Sequence, residues 1–320
     1  MAPLFPATGA ERDRWVIGQR PPRATLDPWQ PYGLFAEDEP TAEGEIVPVA
    51  TVLLTNRECP WHCTMCDLWR NTLTDTVPPG AIPAQIDVAL ARLPPARTIK
   101  LYNSGSFFDP RAIPVVDYAE IAKRVRDFDR VIVECHPSLV GERCLAFRDM
   151  LDGQLEVAMG LETAHPDVLE KLNKRMTLDH FAAAADFLRE NKIDLRVFIL
   201  VQPPFMPPEE SLHWARRSLD FAFDCGATAA SLIPTRGGNG AMQALAASGG
   251  FTPPNLALIE DAMQYGLDLK RGRVFVDLWD SQQASHCTHC YSRRVARLKI
   301  MNLSQNVSDG FNCDHCGGSS

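Results

Sequence analysis

The sequence predicts an α/β fold, a partial (β/α)6 TIM-type barrel with an irregular N-terminal arm and a small C-terminal metal-knuckle region. Three observations predict it. From residue 49 onward, short apolar runs alternate six times with helical patterns, as a parallel sheet with crossover helices requires. Polar and glycine-rich segments stand at the C-terminal ends of those runs, where barrels carry their chemistry. Seven of the ten cysteines fall in two groups, one directly after the first run and one near the C-terminus.

Residues 1–48 come first. They are rich in proline, glycine and charge, with Pro21-Pro22, Asp27-Pro28 and Glu39-Pro40. This predicts an irregular arm laid over the barrel and pinned by Trp15, Trp29 and Tyr32. The barrel spans 49–280, with strands at 49–55, 97–103, 130–135, 155–161, 194–201 and 228–233. A seventh run, 274–278, extends it. The strands read as apolar on both faces, which suits a buried parallel sheet. Between them Ile82, Ile86, Leu90 and Leu93 recur at helical spacing, as do Val115, Ala119, Ala122 and Val125. Residues 281–320 form the last region.

Composition narrows the class. The chain has 320 residues, 45% of them hydrophobic, enough for one large core. A net charge of −8 argues against a surface that coats nucleic acid generally. No apolar run reaches membrane-spanning length. The first residues, Met1 to Pro6, lack the basic and apolar regions of a signal peptide. Cysteines without an export signal point to a reducing compartment, hence the cytoplasm, and to metal binding over disulfides. Cys135, Cys144 and Cys225 stand apart and read as small buried apolar residues.

The first cysteine group is Cys59, Cys63 and Cys66, spaced C-x3-C-x2-C on the loop after the first strand. Three thiolates on one loop can bind three irons of a [4Fe–4S] cube and leave the fourth iron open. A structural zinc would need a fourth ligand, and none follows closely. The second group is Cys287-x2-Cys290 and Cys313-x2-Cys316, two knuckles that read as a metal site. Its occupant is zinc or an auxiliary iron–sulfur cluster. His286, His289 and His315 adjoin it as substitute ligands. Between the knuckles, Ser292 to Lys299 carries Arg293, Arg294, Arg297 and Lys299. This patch contacts phosphates or pairs back to the barrel.

The first cysteine loop, with Met65 before its third cysteine, resembles the signature of the radical SAM (S-adenosylmethionine) superfamily. The resemblance covers about residues 49–236. It implies that the cluster binds SAM and, once reduced, cleaves it to a 5′-deoxyadenosyl radical that abstracts hydrogen from substrate. Asn103, Ser104, Gly105 and Ser106 stand where the family holds the amino group of SAM on a glycine-rich turn. Only one glycine is present here, and Ser106 replaces the usual acid. Gly160-Leu161-Glu162-Thr163 is similar to the family segment whose acid contacts the ribose, which implicates Glu162. The stretch beginning at Ile233 corresponds to the one packed on adenine. Gly237-Gly238-Asn239-Gly240, just beyond it, reads as a mobile loop over the substrate or as a simple connection. Glu134, followed by His136 at the third strand end, is a candidate contact to cofactor or substrate. Arg196, a charge inside an apolar strand, needs a partner. It binds the SAM carboxylate or pairs with Glu162, with Lys174 and Arg175 the rival cations.

The Cys-Thr-Met-Cys core, the Gly-Leu-Glu-Thr segment and the C-terminal cysteines are similar to the elongator-type branch, and to the radical SAM subunit of archaeosine synthase. That implies a lyase or transferase acting on a modified base in tRNA, with flavodoxin or ferredoxin as reductant. A small metabolite or peptide is the alternative substrate. From another class, the alternative is an iron–sulfur electron carrier or an RNA-binding ribbon protein.

Overall fold

The computed structural model describes residues 5–284, 287–310 and 312–316. Its elements in chain order are α1 (Gly9–Gln19), β1 (Gly33–Pro40), β2 (Ile46–Leu53), α2 (Ala81–Arg92), β3 (Thr98–Tyr102), α3 (Tyr118–Arg124) and β4 (Arg130–Glu134). Then come α4 (Glu142–Arg148), β5 (Gln154–Glu162), α5 (Pro166–Lys171), α6 (Leu178–Glu190), β6 (Asp194–Val201), α7 (Ser211–Asp224) and β7 (Ala229–Pro234). Last are α8 (Ala241–Ala247), α9 (Leu256–Asp268), β8 (Arg273–Val276) and α10 (Thr288–Ser304).

The eight strands lie side by side in sequence order. All neighbours from β2 to β8 are parallel, and β1 joins antiparallel to β2 with Gly33 opposite Leu53. The sheet curls into a half-barrel, so its two outer strands approach each other. Arg273 Nη1 on β8 donates to the Pro40 carbonyl on β1 at 3.3 Å. Above that contact the rings of Phe35 and Trp279 meet edge to face at 5.2 Å.

Side chains alternate across each strand. One set, including Val52, Leu101, Val133, Val157, Val197, Leu232 and Val274, faces the helices. It forms a single core with Ile86, Phe147, Leu188, Leu219 and Met263. The opposite set is not apolar, contrary to the expectation from sequence. Lys100, Glu156, Arg196 and Arg273 point inward near the strand N-termini and are all buried. Glu37 and Glu39 of β1 complete the group. Lys100 Nζ donates to Glu39 at 2.5 Å and to Glu37 at 2.8 Å. Arg196 donates to Glu39 at 2.8 Å and to Glu156 at 2.6 Å. The floor of the half-barrel is therefore a buried ionic network, each charge compensated by neighbours.

The N-terminal arm is more regular than expected. Thr8 caps α1 in a reciprocal pair with Glu11. β1 is retained in the sheet by its inward glutamates. Trp15 packs edge to face on Phe5 at 5.3 Å, and Tyr32 bonds Ser104, whereas Trp29 is largely exposed. The C-terminal region also differs from a ribbon, because its first knuckle opens the 17-residue helix α10. That helix docks on β8 through two side-chain amides. Asn302 Oδ1 accepts the Val276 N–H at 2.8 Å and its Nδ2 donates to the Val276 carbonyl at 3.0 Å. Gln305 pairs the same way with Val274, at 2.7 and 2.9 Å. Among the described residues, no helix is long and apolar enough to cross a membrane.

Candidate active site at the strand ends

The three-cysteine loop leaves β2 at the C-terminal end of the sheet. Gln85 of α2 fixes its root, accepting the Thr55 N–H and donating to the Thr55 carbonyl, both at 2.8 Å. The loop's own turn closes with Cys66 N–H on Cys63 O at 3.2 Å. Other elements grip it from several sides. The Thr64 N–H donates to the Leu172 carbonyl at 2.9 Å, and Asn173 Nδ2 donates to the His62 carbonyl at 2.9 Å. Glu58, just before Cys59, accepts from Arg20 at 2.7 Å and from Arg23 at 2.5 Å. Trp61 stacks on His136. His62 turns toward Asp13, 3.6 Å away.

Burial pushes the Cys59 and Cys63 thiols up to about 12, and Cys66 higher still. The nearby Lys174 ammonium acts the other way on Cys59 and Cys63 and favours their thiolates. An iron–sulfur cluster would take the place of the protons, since its irons bind thiolates.

Beside the loop lies the turn Asn103–Ser106. Glu134 Oε2 accepts the N–H of Asn103 at 2.7 Å and of Ser104 at 2.9 Å. Burial raises its carboxyl to about 7, and these backbone donors hold it from rising further. Glu134 therefore supports the turn from behind. Ser104 takes a left-handed conformation with φ 53, and Ser106 Oγ accepts the His136 N–H at 2.8 Å. Gly105 faces Cys59 so closely that a Cβ there would stand 3.3 Å from the cysteine Cβ. The Asn103 carboxamide is buried with no partner among the described residues.

Across the mouth, Glu162 is ion-paired to Lys174. The pair lies over Gly160, where a Cβ would stand 2.2 Å from both charged ends. Burial disfavours the ammonium of Lys174, yet Glu162 and the nearby Cys63 raise its pKa. Ile233 joins an apolar group with Met65 of the cysteine loop, Leu200 and Met206.

Arg196 lies elsewhere. It is the third residue of β6, with five residues following before the strand ends, a distance of about 16 Å. Its partners are Glu39 and Glu156, so neither expected role, SAM carboxylate or Glu162, is filled by it. The rival, Lys174, holds Glu162 instead. The glycine-rich loop after β7 is also not free. Its Asn239 donates to the carbonyls of Thr64 at 2.8 Å and Cys66 at 3.1 Å. Sequence reasoning missed Asn239, because an asparagine among glycines signals a turn and says nothing of a distant partner.

At the C-terminus the four cysteine sulfurs lie within 4.8 Å of one another. Cys287 and Cys313 are 3.9 Å apart, as are Cys290 and Cys316. A tetrahedral ion with metal–sulfur bonds of about 2.3 Å spaces its sulfurs about 3.8 Å apart. The set therefore fits one ion, since thiolates on four separate irons stand further apart. His289 and His315 stack on each other at 3.7 Å and are not among these ligands. His286 lies outside the described residues. Of the basic run, Arg294 and Arg297 turn inward to the buried Glu260. The alternative of pairing back to the protein holds for these two.

A parallel half-barrel that gathers thiols, an acid and a cation at its strand ends is the frame of a barrel enzyme. The family model described as the Radical SAM superfamily matches residues 53–215, and the chain belongs to that superfamily. An uncharacterized protein of Methanocaldococcus jannaschii is 23% identical over 227 residues, which is 66% of this chain and 62% of that protein. Archaeosine synthase subunit beta of Methanosarcina acetivorans is 24% identical over 277 residues, 81% of this chain and 80% of that one. The chain thus spans under two thirds of the first relative's length and more of the second's. Among solved structures, methylornithine synthase superposes with a TM-score of 0.52 at 11% identity, covering 79% of this chain and 69% of that one. That likeness shows the fold.

Proposed function

We propose that Cys59, Cys63 and Cys66 hold a [4Fe–4S] cluster and that SAM binds beside it at the mouth of the half-barrel. The observation that carries this reading is the convergence, at one mouth of the sheet, of three half-buried cysteines on a single loop, the Asn103–Ser106 turn and the Glu162–Lys174 pair. When bound and reduced, the cluster supplies cleavage of SAM to a 5′-deoxyadenosyl radical that takes hydrogen from substrate. The residues' task is placement. The Asn103–Ser106 carbonyls would hold the amino group of SAM, and Glu162, ion-paired to Lys174, would accept from the ribose hydroxyls. Met65 and Ile233 give the adenine an apolar seat.

The similarity to the archaeosine synthase branch supports a modified base in tRNA as substrate, with a flavodoxin or ferredoxin as electron donor. The inward turn of Arg294 and Arg297 favours a second reading, a small metabolite, because it halves the basic run that would meet phosphates. The four C-terminal cysteines hold one zinc ion in this proposal. Anaerobically reconstituted protein, reduced with dithionite, should form 5′-deoxyadenosine from SAM. The Cys59, Cys63 and Cys66 triple alanine variant should form none. Cleavage retained in that variant would end the proposal, and turnover stimulated by tRNA separates the two substrate readings.

A further inference from the structure

Asn239 is 2% exposed, in the connection between β7 and α8. Its Nδ2 donates to the Thr64 and Cys66 carbonyls, and its Oδ1 accepts the Met242 N–H at 2.7 Å in the first turn of α8. One side chain therefore ties the cysteine loop to the connection after β7. The tie has its own backing. Gly240 has φ +87 and lies under the end of α1, where a Cβ would stand 1.8 Å from the Gln19 carbonyl oxygen. A side chain at this position would clash with that carbonyl and strain the backbone next to Asn239.

The two carbonyls that Asn239 holds flank Met65. The Thr64 N–H is separately fixed by Leu172, so the Thr64–Cys66 segment is held from both sides. On either side of the Cys66 carbonyl the chain turns, with the Cys66 N–H on the Cys63 carbonyl at 3.2 Å and the Arg70 N–H on the Asp67 carbonyl at 3.1 Å. Restraining the Cys66 carbonyl restrains the peptides that follow it. Contacts that orient the ligating residues are among the settings of an iron–sulfur reduction potential.

We infer that Asn239 is a positioning residue for the cluster: by holding the Thr64 and Cys66 carbonyls it fixes the backbone on both sides of Met65, and with it the place of the Cys66 sulfur, and so sets the cluster's electronic environment. This rests on the assignment of the cluster to Cys59, Cys63 and Cys66. Asn239→Asp keeps the shape and the acceptor for Met242 but puts an oxygen where the donor faced two carbonyls. Asn239→Ala removes both bonds and serves if the aspartate variant folds poorly.

The full chain is reconstituted anaerobically with iron and sulfide. Iron content, the EPR signal and the midpoint potential are then measured, with amide exchange of the metal-free protein alongside. Either variant should bind iron like the wild type yet show altered g values and a shifted midpoint. In the metal-free protein, amides 66–69 should exchange about tenfold faster, the equivalent of one lost hydrogen bond. Wild-type potential, EPR signal and exchange in both variants would overturn the inference while leaving the cluster assignment intact. A wild-type protein that takes up no iron at the three cysteines would instead overturn the assignment, and the inference with it.

Discussion

The indole of Trp61 lies flat on the imidazole of His136, with centroids 3.7 Å apart and planes 9° from parallel. Trp61 belongs to the cysteine loop and His136 follows β4, so the stack bridges two strand ends. The imidazole is neutral. Burial and the Lys174 charge push its pKa down to about 3. Its Nδ1 accepts from the Ser138 N–H at 3.2 Å, which leaves Nε2 to donate to the Lys174 carbonyl at 2.9 Å. His136→Phe should keep the stack and lose the link to Lys174. A loss of about 1–2 kcal/mol of stability is expected in denaturant melts, from one buried hydrogen bond and its orphaned carbonyl. His136→Ala should cost more, because the stack goes too. Equal melts for the two variants would show that the stack contributes nothing.

Gly160 should tolerate no side chain without moving the Glu162–Lys174 pair. In Gly160→Ala the new methyl meets the mobile ends of two side chains, so folding should survive. SAM affinity, measured by equilibrium dialysis on the unreduced cluster, should drop about tenfold or more, the scale of a charged hydrogen bond. Affinity equal to wild type would place SAM away from this pair.

The ionic floor should make the protein acid-sensitive. Burial pushes the Glu156 carboxyl up, but the guanidinium groups of Arg196, Arg273 and Arg130 outweigh it and hold it at about 2 against an ordinary 4.5. A depressed carboxyl stabilises the fold above its unfolded pKa, and that contribution is lost as pH falls through the folded value. Melting temperature should therefore fall between about pH 4.5 and 2, beyond the fall seen in proteins without such a network. Arg196→Met leaves Glu39 and Glu156 short of a partner and should cost about 3–5 kcal/mol at neutral pH. A smaller loss would mean that Lys100 and Arg273 suffice for both acids.

Metal removal should separate the two cysteine groups. Cys313→Ser with Cys316→Ser opens the tetrahedral site, and a structural ion contributes to folding outright. The variant should melt lower while iron at the Cys59 loop stays. Metal analysis of the wild type should return about one zinc and about four irons per chain. About eight irons and no zinc would make the C-terminal site a second cluster.

Strand positions were legible in the sequence because their helix-facing residues are plainly apolar. β6 was expected at 194–201 and lies at Asp194–Val201. β1 was not legible, because its charges and proline read as part of an irregular arm until Lys100 and Arg196 are known to stand opposite Glu37 and Glu39. Arg196 misled for a related reason. A charge in a strand announces a partner, but only the register tells whether it stands at the mouth or the floor. Of the candidate site, the cysteines were visible as a local pattern, and the Asn103 turn and Glu162 only through a resemblance. Asn239 and the Trp61–His136 stack were not, because each joins segments distant in the chain.

A last consequence follows from how Asn302 and Gln305 meet β8. A half-barrel ends in strands whose outward N–H and C=O groups can template the addition of a foreign strand. The two amides occupy those groups of Val274 and Val276, standing in for the missing neighbour. α10 begins inside the four-cysteine site. With a metal bound there, as proposed, its loss would loosen the helix that covers this edge, and self-association through β8 is the expected result.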